Sequence, residues 1–286
     1  MSQRTLPRRR LLLLDGSPGA TTLLVLAAHG ALPRFDAVLA PDTGWYPTHT
    51  YRYLDTLRPI ATDAAMEWAR ADTGSVAQDS LGSLLPCPLP LFTLTADGIP
   101  GRLPQGCARR QAQALTHLIR RLLGYPRQST LPDGIVAECA VGLGVDHTYQ
   151  VPAGPPFVVF RYPLAEIGWT ARDCRAFLHH HGLGEASDLA CVACPNRSDH
   201  GWAHLRATDP EGFAQAVAVD TTLRHGHPNP ALRGMPLGTT YFLHPDRVPL
   251  DQVDLTPDTG FAPEGCKPWA CRGDGSGTTL EGGGGR

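Results

Sequence analysis

The chain has 286 residues, of which 42% are hydrophobic, which is enough to bury the core of one large domain. Its formal net charge is −2, so it lacks the global positive field of a general nucleic-acid binder, and only a local basic patch stays open. No apolar run approaches the roughly 20 residues of a membrane span. The arginine-rich start is not followed by the long apolar region and cleavage site of a signal peptide, so a cytoplasmic protein is expected.

The first recognisable unit is a strand, a loop, a helix and a second strand. The apolar run 11–14 predicts a buried strand, and the run 21–29 is helix-like. Between them lies a Gly/Ser/Pro loop, 15–20, and a second apolar run, 35–40, leads into a D-T-G-W segment at Asp42. The loop therefore lies between a strand end and a helix start, where free N–H groups and the helix dipole favour an anion such as a phosphate.

Helix-like and strand-like segments alternate farther along the chain. Helices are predicted over 48–57, 62–71 (a short piece), 111–123, 170–181 and 209–224. Strands are predicted over 134–139 and 156–161. The stretch 72–104 is rich in Gly, Ser, Pro and Leu and is typical of a long loop. The alternation predicts a doubly wound α/β fold with a mostly parallel sheet and helices on both faces.

Two of these helices carry clear terminal signals. Thr170 and Asp209 are typical N-caps, and Pro210 suits the first position of its helix. The helix after Thr170 ends in three histidines, 179–181, followed by Gly182. Imidazolium groups suit the negative end of a helix dipole, and we prefer this interpretation of the histidines to a metal site.

The chain divides into four parts on this pattern. Residues 1–10 are predicted to be a flexible tail, and 11–185 a nucleotide-binding-like α/β domain. Residues 186–272 are predicted to form a helical, cysteine-bearing subdomain, and the Gly-rich residues 273–286 a disordered tail.

Several short motifs follow one another in a fixed order. They are the 15–20 loop, D-T-G-W at Asp42, R-Y-P-L at Arg161, C-V-A-C-P at Cys191 and Y-F-L-H-P at Tyr241. Together they resemble the phosphoadenosine-phosphosulfate (PAPS) reductase-like family, within the adenine nucleotide α-hydrolase, or ATP pyrophosphatase, superfamily, over roughly residues 11–272. The resemblance implies that family's fold, closed by a C-terminal subdomain that carries cysteines.

The 15–20 loop departs from the family pattern S-G-G-x-D-S. Asp15, Gly19 and Ala20 replace the family's first serine, its aspartate and its last serine. Asp15 places a negative charge where a phosphate should sit, and Pro18 lacks one backbone donor. Both changes weaken the case for ATP turnover.

The resemblance implies a site for ATP or PAPS with magnesium. Its candidate residues are Gly16, Ser17, Gly19, Thr21, Asp42 and Arg109. Simpler alternatives stay open: the segment at Asp42 is an ordinary turn, Thr21 is a plain first-turn helix residue, and Arg109 belongs to a solvated helix face.

The chain has eight cysteines, and without an export signal a disulfide framework is not expected. Cys191 and Cys194 form a C-x-x-C, a spacing at which one turn can ligate one metal. The resemblance extends the ligand set to Cys107, Cys191, Cys194 and Cys266, which suits a [4Fe–4S] cluster or zinc. Alternatively these cysteines are small buried hydrophobes, or Cys271 replaces Cys266.

Two functions follow as hypotheses. The first is an enzyme that binds an adenine nucleotide and activates a substrate for sulfur transfer or reduction, as an ATP pyrophosphatase, sulfurtransferase or sulfonucleotide reductase-like protein. The segment around Cys266 reads E-G-C-K-P, which lacks the E-C-G-[LI]-H tail of the reductases. The second is a degenerate, non-catalytic relative that keeps the fold to bind a partner subunit, a reading that the altered 15–20 loop favours.

Overall fold

The computed structural model of the protein describes residues 9–81, 88–126, 129–146, 154–184, 189–226 and 238–255. The strands are β1 (Arg9–Leu13), β2 (Ala37–Asp42), β3 (Glu67–Asp72), β4 (Phe92–Thr95), β5 (Pro100–Arg102), β6 (Ala137–Ala140), β7 (Val158–Arg161) and β8 (Thr239–Phe242). The helices are α1 (Pro18–Ala28), α2 (Thr48–Asp63), α3 (Val76–Leu81), α4 (Gly106–Leu122), α5 (Pro163–Glu166), α6 (Ala171–His180), α7 (Asp199–Thr208) and α8 (Pro210–Leu223).

Five parallel strands form the main sheet, in the order β3-β2-β1-β6-β7. In the centre, Leu11 of β1 lies between Ala37 of β2 and Cys139 of β6. From the boundary between β1 and β6, the strands β1, β2 and β3 follow one another toward one edge of the sheet, and β6 and β7 follow one another toward the other edge. This boundary is therefore the topological switch point, where loops at the carboxyl ends of the strands diverge and ligands bind in such sheets.

The main sheet is covered on both faces because alternate side chains of β1 point to opposite cores. Leu12 packs in a core that includes Leu23 of α1 and extends to Trp202 of α7. Leu13 packs in a second core with Leu115 of α4. The predicted doubly wound α/β fold with a mostly parallel sheet is confirmed.

The prediction of a short helix over 62–71 is wrong. Helix α2 continues to Asp63, and residues Glu67–Asp72 then form β3. Ala69 and Ala71 are buried, whereas Arg70 and Asp72 are exposed and Trp68 is partly exposed, which is the period of a half-buried strand. Strand β3 pairs with β2 along its whole length, from Glu67 beside Ala37 to Asp72 beside Asp42. Pairing with a neighbouring strand therefore overrides the local helical tendency.

The prediction of a long loop over 72–104 is also wrong for most of the residues of this stretch that the structure describes. It contains α3 and the antiparallel pair β4 and β5. Strand β4 also pairs with β8, with Thr93 opposite Tyr241, so a second sheet has the order β5-β4-β8. These strands are short, and the partner of β4 lies far away in the sequence, so no local pattern revealed the sheet.

The predicted helix starts at Thr170 and Asp209 are confirmed. Thr170 and Asp173 form a reciprocal capping box at the start of α6. Asp209 accepts a hydrogen bond from the N–H of Gly212 at 3.0 Å, and Pro210 is the first residue of α8. A further helix, α7, was not predicted, although its N-cap Ser198 is of the expected type.

The predicted division between 11–185 and 186–272 stays a prediction. Residues 1–8 of the predicted first tail, and the whole of 273–286, lie outside the described residues, as do Cys266 and Cys271. Among the helices that the structure describes, none is both long and apolar enough to cross a membrane.

Candidate functional site at the carboxyl edge of the main sheet

The loop after β1 is held by its own carboxylate. Ser17 is the N-cap of α1, and its hydroxyl oxygen accepts a hydrogen bond from the N–H of Ala20 at 3.2 Å. Ser17 also donates twice to Asp15 Oδ1, from its backbone N–H at 3.1 Å and from its hydroxyl at 2.6 Å. Asp15 is buried and Gly16 has a φ of +75°. A carboxylate of the chain itself thus engages donors that a phosphate at this helix start would use.

A backbone contact joins the loops after β1 and β6 at the switch point. A Cβ atom on Gly19 would lie 2.0 Å from the carbonyl oxygen of Gly142, and one on Gly142 would lie 2.0 Å from the nitrogen of Ala20. Only glycine fits at either position. The first turn of α1 therefore packs directly on the chain after β6, a packing role for Gly19 that the sequence did not indicate.

Helix α2 connects two of the predicted nucleotide residues. The hydroxyl of Tyr53 donates to Thr21 Oγ1 at 3.2 Å, and the hydroxyl of Tyr51 donates to Asp42 Oδ1 at 3.0 Å. Thr21 is completely buried, so its hydroxyl faces the protein interior. One face of α2 therefore fixes the start of α1 relative to the end of β2.

Asp42 is buried and engaged by three donors. Besides Tyr51, its Oδ1 accepts the N–H of Gly44 at 2.7 Å, and its Oδ2 pairs with the Arg70 guanidinium at 2.5 Å. Burial, followed by the charge and hydrogen bond of Asp42, raises the pKa of Tyr51 to about 12 although the backbone N–H of Tyr46 opposes the shift. Tyr51 thus stays a hydrogen-bond donor at neutral pH, and the three donors fix the position of the Asp42 side chain.

A cavity of about 90 Å³ opens beside Asp42, between α2 and the ends of β2 and β3. Its charged lining consists of Asp42, Asp55, Arg58 and Arg70. Pockets that enclose whole small molecules have about 300–1,000 Å³, so this cavity admits one polar group of a ligand and not a complete nucleotide.

A second cavity, of about 340 Å³, contains none of the predicted site residues. Arg161, the last residue of β7, lines it and pairs with Glu138 at 3.1 Å. Arg10, Phe35 and Glu166 also line it. Its charged lining carries both signs equally, so it shows no preference for an anion.

The C-x-x-C turn lies directly against the D-T-G-W segment. The thiol of Cys191 donates to Thr43 Oγ1 at 3.1 Å, and the N–H of Val192 donates to the carbonyl of Trp45 at 2.9 Å. The Trp45 indole in turn donates to Gln215 of α8 at 3.2 Å. Two motifs that are far apart in the sequence therefore form one structural unit at the end of β2.

The thiol of Cys191 is held in its protonated form. Burial, together with the neighbouring Cys194, raises the pKa of Cys191 to about 12, although the Thr43 hydroxyl and the Arg197 guanidinium act in the opposite direction. Arg197 is itself buried, and it donates to the carbonyl of Cys191 at 2.8 Å. A metal that binds here must therefore displace a proton from Cys191.

The other predicted metal ligands lie on other segments of the chain. Cys107 is buried in the first turn of α4, where its N–H donates to the carbonyl of Pro88 at 2.9 Å, and Cys266 lies outside the described residues. Over the described ranges, no three His, Cys, Asp or Glu residues form a group that could hold a metal ion. The chemistry of four thiols fits a cluster or zinc, but the described residues bring only Cys191 and Cys194 into one turn.

Arg109 is exposed on α4, and Arg110 beside it pairs with Asp79 of α3. Sequence reasoning missed Arg70, because its segment was interpreted as a helix. It also missed Arg197, although a basic residue three positions after a C-x-x-C was a usable signal.

No family model matches the chain, and no curated protein matches it. Among solved structures, the U34-tRNA thiolase NcsA from Methanococcus maripaludis, with its [4Fe-4S] cluster, is similar at a TM-score of 0.39 and 12% identity. The alignment covers 78% of this chain and 75% of that chain. A likeness of this extent does not establish a family, so the PAPS reductase-like resemblance stays a prediction from motifs.

Proposed function

We propose that the protein binds an adenine nucleotide, ATP or PAPS with magnesium, at the carboxyl edge of its main sheet and uses it in sulfur transfer or reduction. The observation that carries this proposal is the contact between Thr43 and Cys191. It joins a pair of thiols to the segment after β2, at the edge where parallel sheets bind ligands. The chemistry would be that of an ATP pyrophosphatase-like sulfurtransferase or a sulfonucleotide reductase-like enzyme.

The proposed nucleotide site comprises six residues: Gly16, Ser17, Gly19, Thr21, Asp42 and Arg109. Thr21 would support the first turn of α1 from within rather than contact the nucleotide, because its hydroxyl faces the interior. Asp42 would accept a ribose hydroxyl or hold a magnesium-bound phosphate, and Arg70 would have to release it for that purpose. The Arg70 side chain is 59% exposed, so it can turn toward solvent at little cost. Ser17 would have to exchange its bonds with Asp15 for bonds to a phosphate.

The proposed metal ligands are Cys107, Cys191, Cys194 and Cys266, for a [4Fe–4S] cluster or zinc. Arg102 of β5 donates to the side chain of Asn196, which links the segment before Cys107 to the segment after Cys194. This link supports Cys107 as the ligand contributed by α4. A bound cluster would supply electrons or a sulfur-binding iron, whereas zinc would stabilise the fold.

Two observations favour a second candidate, a non-catalytic relative that acts through a partner subunit. Asp15 already engages both donors of Ser17, and the first turn of α1 packs directly against the backbone of Gly142 at the switch point. A chain that has lost phosphate binding would retain the fold and the cysteine turn.

Calorimetric titration of anaerobically purified protein with ATP and with PAPS, in the presence of magnesium, separates the two candidates. Binding in the micromolar range supports the enzyme, and the tighter ligand identifies the nucleotide. No binding at millimolar ligand by folded, metal-loaded protein overturns nucleotide use and leaves the partner-binding candidate.

A further inference from the structure

Helices α1 and α6 end in the same way. His29 and His181 are their C-caps, with φ and ψ of −86° and 2° for His29 and −87° and 7° for His181. Each histidine is followed by a glycine in the left-handed region, Gly30 at φ +75° and Gly182 at φ +70°. Two helices with one terminal geometry therefore present the same side chain at the same position.

The backbone hydrogen bonds of the two ends also correspond. The N–H of Ala31 donates to the carbonyl of Leu26 at 2.9 Å, and that of Leu183 donates to the carbonyl of Leu178 at 3.1 Å. These are the bonds of a Schellman motif, which fixes the C-cap residue against the last turn. The backbone positions of both histidines are therefore well determined.

The two imidazole rings lie side by side. Their centroids are 5.2 Å apart, with planes tilted by 47°. Phe177 packs against the ring of His181 at a centroid distance of 4.3 Å and restricts its orientation. Both histidines are exposed, and neither ring makes a hydrogen bond with another described residue. Both side chains therefore lie at the surface, unlike that of the buried His244, whose ring contacts Asp199 and the N–H of Asp246.

We propose that His29 and His181 form a two-imidazole site for a divalent first-row transition metal ion, with water completing its coordination. The sequence alone favoured a helix-end role for the histidines at 179–181, because it did not show that His29 lies beside His181. Two imidazoles on one tetrahedral zinc, with Zn–N bonds of about 2.0–2.1 Å, have ring centroids roughly 5 Å apart. The observed centroid separation of 5.2 Å agrees with this spacing. The carbonyl ends of both helix dipoles meet at the same place and favour a cation there.

The site is independent of the cysteines and of the nucleotide proposal. It joins α1, whose N-cap Ser17 lies in the 15–20 loop, to α6, whose N-cap is Thr170. A metal bound there stabilises the folded chain, because it binds the folded arrangement of the two helix ends and not the unfolded chain.

Modification by diethylpyrocarbonate, read by peptide mass spectrometry, tests the site on the full chain with and without Zn²⁺. Saturating Zn²⁺ should slow the reaction at both His29 and His181 by at least about tenfold, because a liganded nitrogen is not nucleophilic. EDTA should reverse the protection. Unchanged rates at both histidines would overturn the proposal.

Variants decide whether one ion is shared. His181→Asn should abolish zinc protection at His29, and His29→Asn should abolish it at His181. His179→Asn is the matched control, because His179 is exposed at the same end of α6, and it should leave both protections intact. Protection of His29 that persists in His181→Asn would contradict a shared site. Since the wild-type rates already decide the question, a variant that fails to fold does not remove the test.

Discussion

The thiol of Cys191 donates a hydrogen bond to the hydroxyl of Thr43 at 3.1 Å, and both residues are buried. This contact attaches the C-x-x-C turn to the end of a parallel strand. It also holds the thiol in a direction fixed by the sheet rather than by the turn alone. The proposed function depends on this arrangement, because a sulfur-handling group must lie beside the nucleotide that it serves.

Removal of the C-x-x-C thiols should reduce metal binding. We expect Cys191→Ser and Cys194→Ser to lower the bound metal of anaerobically purified protein by at least about tenfold, because thiolate is a much better ligand than hydroxyl for a cluster or zinc. Elemental analysis and visible absorbance measure the change. Cys139→Ser is the control, since Cys139 is equally buried but lies in β6. Unchanged metal content in a folded Cys191→Ser variant would exclude this ligand set.

Neutralisation of Asp15 should open the loop to phosphate. Asp15→Asn keeps an acceptor for Ser17 but removes the negative charge, and we expect ATP to bind at least about tenfold more tightly, which corresponds to about 1.4 kcal/mol. Calorimetric titration measures the difference.

Asp72→Asn is the matched control for that experiment. Asp72 ends β3 and accepts the N–H of Gly74 at 2.8 Å, so it forms the same kind of turn at a neighbouring strand. It should leave ATP affinity unchanged. Equal affinities for Asp15→Asn and the wild type would mean that the carboxylate does not limit binding.

The contact at the switch point should be intolerant of any side chain. Gly19→Ala places a Cβ 2.0 Å from the carbonyl of Gly142, so α1 must move, and we expect a loss of about 3 kcal/mol or more in the free energy of unfolding. Chemical denaturation measures it. Gly124→Ala is the comparison, because it has a φ of +84° but open space around it, and it should cost about 1 kcal/mol. Equal losses of unfolding free energy in the Gly19→Ala and Gly124→Ala variants would show that the structure relaxes around a side chain at Gly19 at little cost.

The sequence predicts the central fold better than its edges. Strands β1, β2, β6 and β7 are apolar runs, and Thr170 and Asp209 cap helices by local rules, so each is recognisable from its own residues. Strand β3 and the β5-β4-β8 sheet are defined by partners elsewhere in the chain, and these were missed. The same distinction holds at the site. Asp15 and Asp42 were visible as motifs, whereas the contacts of Arg70 with Asp42 and of Thr43 with Cys191 exist only after folding.

Alkaline pH should destabilise the metal-free protein through its buried thiols. Burial raises the pKa of Cys139 and Cys191 from 9.0 to about 12. The folded state therefore holds these protons more tightly than the unfolded state does. Their contribution to stability is complete below about pH 9 and is lost as pH rises toward 12.

Urea unfolding of metal-free protein at several pH values above 8 measures this loss. Cys191→Ser should flatten the decline because serine does not titrate there, whereas Thr56→Ala, an exposed change on α2, should keep the full slope. An identical decline in Cys191→Ser and the wild type would show that the Cys191 thiol is not protected in the fold.

Hydrogen–deuterium exchange of the anaerobic, metal-loaded protein, with and without saturating ATP and magnesium, tests the central claim most directly. We predict slower exchange in peptides that cover 15–22 and 42–46, since a bound nucleotide would order both segments, and no change in the β4–β5 hairpin at 92–102. Slower exchange confined to other segments, or no change at any segment at millimolar ATP, would contradict a nucleotide site at the carboxyl edge of the main sheet.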